Sequence, residues 1–302
     1  MQVANALKIA LILLAAPALT IAQQPPRLTV HTVKEGKLYW VEGGGGNSGV
    51  IIGKSGVIVV DAKTTVDTGR ELVDEIAKIT TKPIMYVIET HSDGDHVNGL
   101  AGFPDGLKII AHVKNKQEQQ AVFLYATVET DGGRCLPPTN RMPNETIFKD
   151  KVKTTLDGIP VTFLYFGPAH TSGDLVIYLP DERFAFAGDL ITNSVLVHPE
   201  KMGSFAGWFR NANELISLNA DYYLGGHASD LDTKTSLRKR VAEYQAIRDK
   251  VDGMIKHNSS LAEIKAAMGD PPKDRSGCRG IPYPSLAEVE YHERVNSNQE
   301  LK

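Results

Sequence analysis

The sequence predicts an α/β fold in which helices shield β-sheets, and three observations carry that prediction. Short runs dense in β-branched and aromatic residues, bounded by Gly, Pro or Asp, recur between residues 28 and 190. Stretches of helical period interrupt them at 65–79 and 115–125. The last third turns helical, and a chain of 302 residues with 42% hydrophobic side chains can bury a sizeable core.

Residues 1–22 precede the first layer. Lys8 gives a thin positive region, Ile9 to Ile21 is almost wholly apolar, and Thr20-Ile21-Ala22 ends in small-residue style, the pattern of a cleaved export signal. A spanning helix needs about 20 apolar residues, which neither this run nor any later one reaches. The mature chain is expected to begin near Gln23, to work in the periplasm or outside the cell, and to have no stable membrane insertion.

Leu28–Val33, Lys37–Val41, Gly49–Ile52 and Val57–Asp61 read as neighbouring strands. Gly43-Gly44-Gly45-Gly46 lies between the second and third and reads as a hairpin turn. A phosphate loop is excluded there, because Ser48 stands where Gly-x-x-x-x-Gly-Lys-Ser needs glycine and a β-run follows instead of a helix. Val66, Leu72, Val73 and Ile76 mark one face of a helix from Thr65 to Ile79. Ile84–Ile88 and Lys108–His112 are strands, Asn115–Tyr125 a helix, and Thr130–Asn144 a long loop. Asp150–Leu156, Val161–Phe166, Leu175–Leu179 and Phe184–Ala187 resume the β character. Leu237, Val241, Tyr244, Ile247, Val251 and Met254 then form a single helical stripe. Capping boxes at Ser260…Glu263 and Ser285…Glu288 open two further helices. Residues 231–302 are therefore expected to form a helical extension packed on a domain of residues 23–230, covering the sheet in preference to mediating self-association.

Acidic and basic residues nearly balance at a net charge of −3, and no basic stripe provides a nucleic-acid footprint, so a small-molecule substrate is expected. Cys135 and Cys278 form no Cys-x-x-Cys pair, which excludes a redox motif or a sulfur-rich zinc site; export permits a disulfide without requiring one.

The chemistry concentrates in Thr90-His91-Ser92-Asp93-Gly94-Asp95-His96, directly after the run Ile84–Ile88. Two imidazoles and two carboxylates within six residues suit a zinc-type ion. Gly167-Pro168-Ala169-His170, Ala187-Gly188-Asp189 and Gly225-Gly226-His227 each follow another apolar run, which puts seven candidate ligands at strand ends. An EF-hand reading of Asp93-Gly94-Asp95 fails because Val97 occupies the next acidic position, and four histidines do not suit a hard cation.

This ordered set resembles the signature of the metallo-β-lactamase fold superfamily, His-x-His-x-Asp-His followed by a separate His, an Asp and a last His, over Leu28 to Asp230. The resemblance implies a four-layer αββα sandwich with a C-terminal helical extension. It implies two Zn²⁺ ions, the first held by His91, Asp93 and His170, the second by Asp95, His96 and His227, with Asp189 bridging. One departure stands out: Asp93 occupies the place of the family's second His. An anionic oxygen ligand shifts preference toward iron or manganese and leaves one of the two ions open to weak binding.

The activity implied is that of an exported metal-dependent hydrolase in which metal-bound hydroxide attacks an ester-like or amide-like carbonyl, with Asp95 orienting it and taking its proton. Export makes a β-lactam substrate credible. A phosphodiesterase or lactonase of the same fold stands as the alternative, although Leu190-Ile191-Thr192 lacks the Tyr that many lactonases place after the bridging Asp. An iron redox enzyme or a non-catalytic metal-binding module stands further back. In the family a hairpin near the four glycines overhangs the site, so Gly43–Gly46 reads as such a tip or as a plain turn. His112 reads equally as outer support or core, while His198, Thr192 and Asn193 are expected to do ordinary loop work.

Overall fold

The computed structural model describes residues 28–126, 141–269 and 284–300. The export-signal stretch, Cys135, Cys278 and most of the expected 130–144 loop lie outside the described residues.

Seven strands follow one another in chain order across the first sheet: β1 (Thr29–Lys34), β2 (Leu38–Glu42), β3 (Ser48–Ile52), β4 (Val57–Val60), β5 (Ile84–Ile88), β6 (Lys108–His112) and β7 (Glu145–Ile147). β1 to β4 form antiparallel ladders, and the pairing turns parallel from β4 onward. A parallel pair needs a crossover, which α1 (Val66–Ile79) supplies between β4 and β5, as α3 (Val113–Ala126) does between β6 and β7. A one-turn helix, α2 (Gly94–Val97), follows β5. The second sheet has the order β12-β11-β10-β9-β8. It comprises β8 (Lys151–Leu156), β9 (Ile159–Leu164), β10 (Val176–Leu179), β11 (Phe184–Gly188) and β12 (Tyr222–Gly225). Only β11 and β12 are parallel, and α4 (Phe205–Ser217) crosses between them.

Period-two alternation sorts these strands into layers. Ile58 and Val60 of β4 meet Phe184 and Phe186 of β11 in a core between the sheets. Val57 and Val59 point the other way, against Leu72 and Ile76 of α1. Ala185 and Ala187 likewise turn from the inter-sheet core toward Trp208, Phe209 and Leu215 of α4. Helix, sheet, sheet, helix is the αββα sandwich that the resemblance implies.

β9 starts two residues earlier than its apolar run predicts. Asp157 and Gly158 both have left-handed φ, +43° and +83°, and close a two-residue hairpin that pairs Leu156 with Ile159. Residues 205–217, to which the sequence reading assigns no element, form α4 behind a Ser204 N-cap, whose Oγ accepts from Gly207 N at 2.9 Å. α5 (Lys234–Lys256), α6 (Leu261–Met268) and α7 (Leu286–Glu300) follow. Leu237 of α5 and Val289 of α7 join the core around Trp208, while Val251, Ile264 and Ala287 make a small core of their own. No helix among the described residues is long and apolar enough to cross a membrane.

Candidate metal centre

Strands stop at the same end of the sandwich, and the turns beyond them deliver polar side chains into one place. β4 ends at Val60 and is followed by Asp61; β5 ends at Ile88 and is followed by His91 to His96. β11 leads to Asp189, and β12 to His227. All seven expected residues come together in three groups, the first two sharing His170 and the third joined to them through Asp189: His91, His170 and Asp189; Asp93, His170 and His198; Asp95, His96 and His227.

Four rings have their orientation fixed from behind. His96 Nδ1 donates to Asp61 Oδ2 at 2.7 Å, and His170 Nδ1 to the Leu196 carbonyl at 2.9 Å. The Thr90 hydroxyl gives its proton to Asp61 Oδ2 at 2.7 Å, so its oxygen accepts from His91 Nδ1 at 2.9 Å. His198 Nδ1 donates to Glu200 Oε1 at 2.6 Å. With each Nδ1 engaged from behind, each ring turns its Nε2 toward the same space, the atom through which a neutral imidazole binds a metal.

Carboxylates occupy that space's edges. Asp93 Oδ2 lies 3.1 Å from His170 Nε2, 3.2 Å from His198 Nε2 and 3.7 Å from His91 Nε2. Asp189 stands between the groups, Oδ1 at 3.3 Å from His96 Nε2 and Oδ2 at 3.3 Å from His227 Nε2 and 3.7 Å from His170 Nε2. Asp95 Oδ2 is 3.0 Å from His227 Nε2. Among the described residues, His91 Nε2, His96 Nε2 and Asp189 Oδ1 are buried without a hydrogen-bond partner. Orphaned buried donor and acceptor atoms are costly, and nitrogen and carboxylate donors converging in this number fit a pair of divalent cations.

Glycines let the backbone close on the cluster. A Cβ on Gly226 would lie 1.9 Å from Asp189 Oδ1, and one on Gly46 would lie 2.2 Å from His96 Cε1. The four-glycine turn is the loop of the β2–β3 hairpin, as expected, and it packs on the centre. Gly46 packs against the His96 ring, its amide donating to the Asp95 carbonyl at 3.0 Å and its carbonyl accepting from the buried Lys63 Nζ at 2.9 Å.

Two partners of Asp93 were not legible in the motif. Lys201 Nζ donates to Asp93 Oδ1 and, at 3.2 Å, to Ser92 Oγ. Burial by itself would raise the Asp93 carboxyl, but the Lys201 ammonium and the His198 and His170 rings outweigh it and hold Asp93 well below the usual carboxylate range. His198, expected to do ordinary loop work, sits buried against Asp93 instead. Asp61, which bonds His96 and Thr90, was likewise passed over; its position at the end of an apolar run was the available signal. His112 is in none of the groups: it is buried with its ring stacked on Tyr165, centroids 3.9 Å apart. Above the centre opens a cleft of about 400 Å³, floored by Asp93, Asp95, Asp189, His198 and His227 and walled by Thr192, Asn193, Ser194 and Leu196.

The sequence profile described as "Metallo-beta-lactamase superfamily" matches residues 41–227. Among curated proteins, the 2,4-dinitroanisole O-demethylase subunit alpha of Nocardioides sp. (strain JS1661) is 27% identical over 204 residues, covering 67% of this chain and 58% of that protein. The linear primary-alkylsulfatase of Pseudomonas sp. (strain ATCC 19151) is 25% identical over 231 residues, covering 62% and 42%. The chain thus spans about half the length of these two relatives. Among solved structures, the stereoselective inverting sec-alkylsulfatase Pisa1 from Pseudomonas sp. superposes with a TM-score of 0.65 at 20% identity, covering 90% of this chain and 52% of that one. A metallo-β-lactamase from Pontibacter korlensis gives 0.58 at 17% identity, with 72% and 99% covered. The 90% share is too large to be reached without the C-terminal helices.

Proposed function

The chain belongs to the metallo-β-lactamase superfamily, and from that premise we propose that it is a metal-dependent hydrolase of neutral ester-like or amide-like carbonyl compounds, working after export in the periplasm. The observation that carries this reading is the convergence of imidazole Nε2 atoms and carboxylates on the floor of an open cleft. His91, Asp93 and His170 would hold one ion and Asp95, His96 and His227 the other, with Asp189 between them; zinc suits the number of imidazoles best. Divalent ions bound at such a centre acidify water and polarise a carbonyl oxygen.

The chain's own side chains do the rest. Asp95, half-buried at the cleft mouth beside His227, is placed to take up a proton from attacking water. Thr192, Asn193 and Leu196 form the wall against which a substrate of modest size would lie. Asn193 Nδ2 donates to the His227 carbonyl at 3.3 Å, which fastens that wall to the ligand turn.

The alkylsulfatase relatives raise the alternative of an anionic sulfate ester. Against it, no Lys or Arg lines the cleft among the described residues, and the nearby Lys201 ammonium is already engaged by Asp93. A neutral carbonyl substrate, β-lactams included, needs no such counter-charge. The test is turnover by the zinc-loaded protein, with and without chelator, of a chromogenic cephalosporin, a nitrophenyl ester, an aryl lactone, bis-nitrophenyl phosphate and a long-chain alkyl sulfate. Chelator-sensitive hydrolysis of a carbonyl substrate is expected. Faster hydrolysis of the sulfate or the phosphodiester than of every carbonyl compound would overturn the reading.

A further inference from the structure

We propose that His198 is itself a metal ligand of the first half of the centre, bringing from a distant loop the imidazole that Asp93 displaces from the motif. The proposal rests on the metal-centre reading above and adds to it a residue outside the family signature.

Three features of His198 match those of the expected ligands rather than those of a loop histidine. Its ring is buried and packs edge-on against His170, with centroids 4.7 Å apart and planes at 78°. Its Nδ1 is taken by a carboxylate, Glu200 at 2.6 Å, as His96 Nδ1 is taken by Asp61 at 2.7 Å. That leaves Nε2 facing inward, 3.2 Å from Asp93 Oδ2, as part of a group with Asp93 and His170 whose donor atoms all lie within 4.8 Å of one another.

The backbone holds this position firmly. His198 N donates to the His170 carbonyl at 2.9 Å, and Ser204 N to the Ala169 carbonyl at 2.8 Å, so the loop carrying His198 is stitched to the loop carrying His170. Gly203 permits the close approach: a Cβ there would stand 2.4 Å from the His170 carbonyl oxygen and 2.9 Å from His198 N. Two ligand-type histidines are thereby fixed to each other through main-chain bonds, which is the pre-organisation a ligand pair requires.

Charge completes the exchange. Replacing a neutral imidazole by Asp93 would leave the first site one negative charge in excess, and Lys201 supplies the compensating ammonium on Asp93 Oδ1 while Oδ2 faces the rings. His91 and His198 each group with His170, in two clusters that meet at that ring, so with His198 the first half can draw on three imidazoles beside a carboxylate whose charge is offset.

The purified protein, loaded with cobalt(II) in place of zinc, gives the first test without any substitution. Each ligating histidine contributes one exchangeable, strongly shifted imidazole N–H resonance in proton NMR. His198 should add its own to those of His91, His96, His170 and His227, sheltered from exchange by Glu200. The second test is zinc content and chelator competition for His198→Ala, with Asp93→His/His198→Ala as the rescue. His198→Ala should lose the first ion, with affinity at that site falling by more than the roughly 100-fold that loss of an outer-sphere partner costs. The double variant should regain it. Two ions held by His198→Ala as tightly as by the parent, with no shifted resonance lost, would leave His198 a mere hydrogen-bond partner of Asp93 and end the proposal. A parent that binds no divalent ion at all would instead bring down the metal-centre reading with it.

Discussion

The two halves of the centre are built differently. Asp95 and His227 face the cleft mouth, with His227 exposed to 40% of its side chain, while His96 lies buried behind them. Two of the three come from one turn, the third follows β12, and the support behind His96 is a single carboxylate, Asp61, at 2.7 Å. The half around Asp93 and His170 is the more closed of the two, meeting the cleft floor through Asp93 and His198, and is surrounded by further polar groups: Lys201, Ser92 and, through Ser92 Oγ at 2.5 Å, Glu118. The open half matches the motif residue by residue, whereas in the closed half Asp93 stands where the motif has His and meets His198 and Lys201 from a loop more than a hundred positions away. A short signature therefore fixes where a centre lies but not which side chains finish it.

Asp189 is the side chain the halves share, and removing it should have the largest effect. It stands 3.3 Å from His96 and His227 and 3.7 Å from His170. Asp189→Ala should cost at least one metal ion per chain in elemental analysis and reduce turnover to the level of the chelated parent. Full metal content in a folded Asp189→Ala protein would show the halves to be independent and the comparison to be one of two separate sites.

Lys201→Met discriminates the halves next. Breaking a buried pair leaves the other charge uncompensated, at a cost of about 3 kcal/mol, here the charge of Asp93 with Glu118 close by. A cation in the closed half would supply the missing charge. Thermal unfolding should therefore show a large drop for the chelated variant and a much smaller one for the zinc-loaded variant. An equal drop in both forms would mean that Lys201 acts by packing alone.

What was legible follows the same division. That the seven expected residues meet was readable because the four fragments that carry them each follow an apolar run, and strand ends at one edge of a sandwich converge. His198 and Lys201 were not, because nothing periodic marks residues 190–203. Their placement comes from tertiary bonds such as Trp208 Nε1 to the Leu190 carbonyl at 3.0 Å. α4 itself was available in the spacing Phe205, Trp208, Phe209, Ala212, Leu215 behind Ser204, and the Asp157-Gly158 hairpin in its turn chemistry. The turn at Gly43–Gly46 was legible, but not that the missing Cβ of Gly46 serves contact with His96.

The C-terminal helices reach the loop that carries His198. The Tyr244 phenol oxygen on α5 accepts from Val195 N at 2.9 Å, within the loop that carries His198. Tyr244→Phe leaves that amide unpaired, a loss of about 1 kcal/mol. Chelator competition should then show a several-fold weaker first ion and an unchanged second. Equal weakening of both ions would assign α5 a general packing role.

His112 supplies the smallest effect and the control, since it is a strand-end histidine belonging to neither half. Burial first, with the Lys114 charge second, pushes its pKa down to about 4. The folded protein therefore keeps the ring neutral where the unfolded chain, with an ordinary pKa near 6.5, already binds a proton. Stability from this group is complete above pH about 6.5 and is lost as pH falls toward about 4, because in that window the unfolded state takes up more protons. His112→Phe retains a ring to stack on Tyr165 and removes the titration. Measured on chelated protein, so that ligand protonation does not intrude, the melting temperatures of parent and variant should keep a constant offset above pH about 6.5 and shift in the variant's favour below it, by a few degrees at pH about 5. Metal content at neutral pH should be the parent's. Parallel melting curves across the acid range would show that the His112 charge is accommodated in the fold, and a lost ion would tie this histidine to the centre after all.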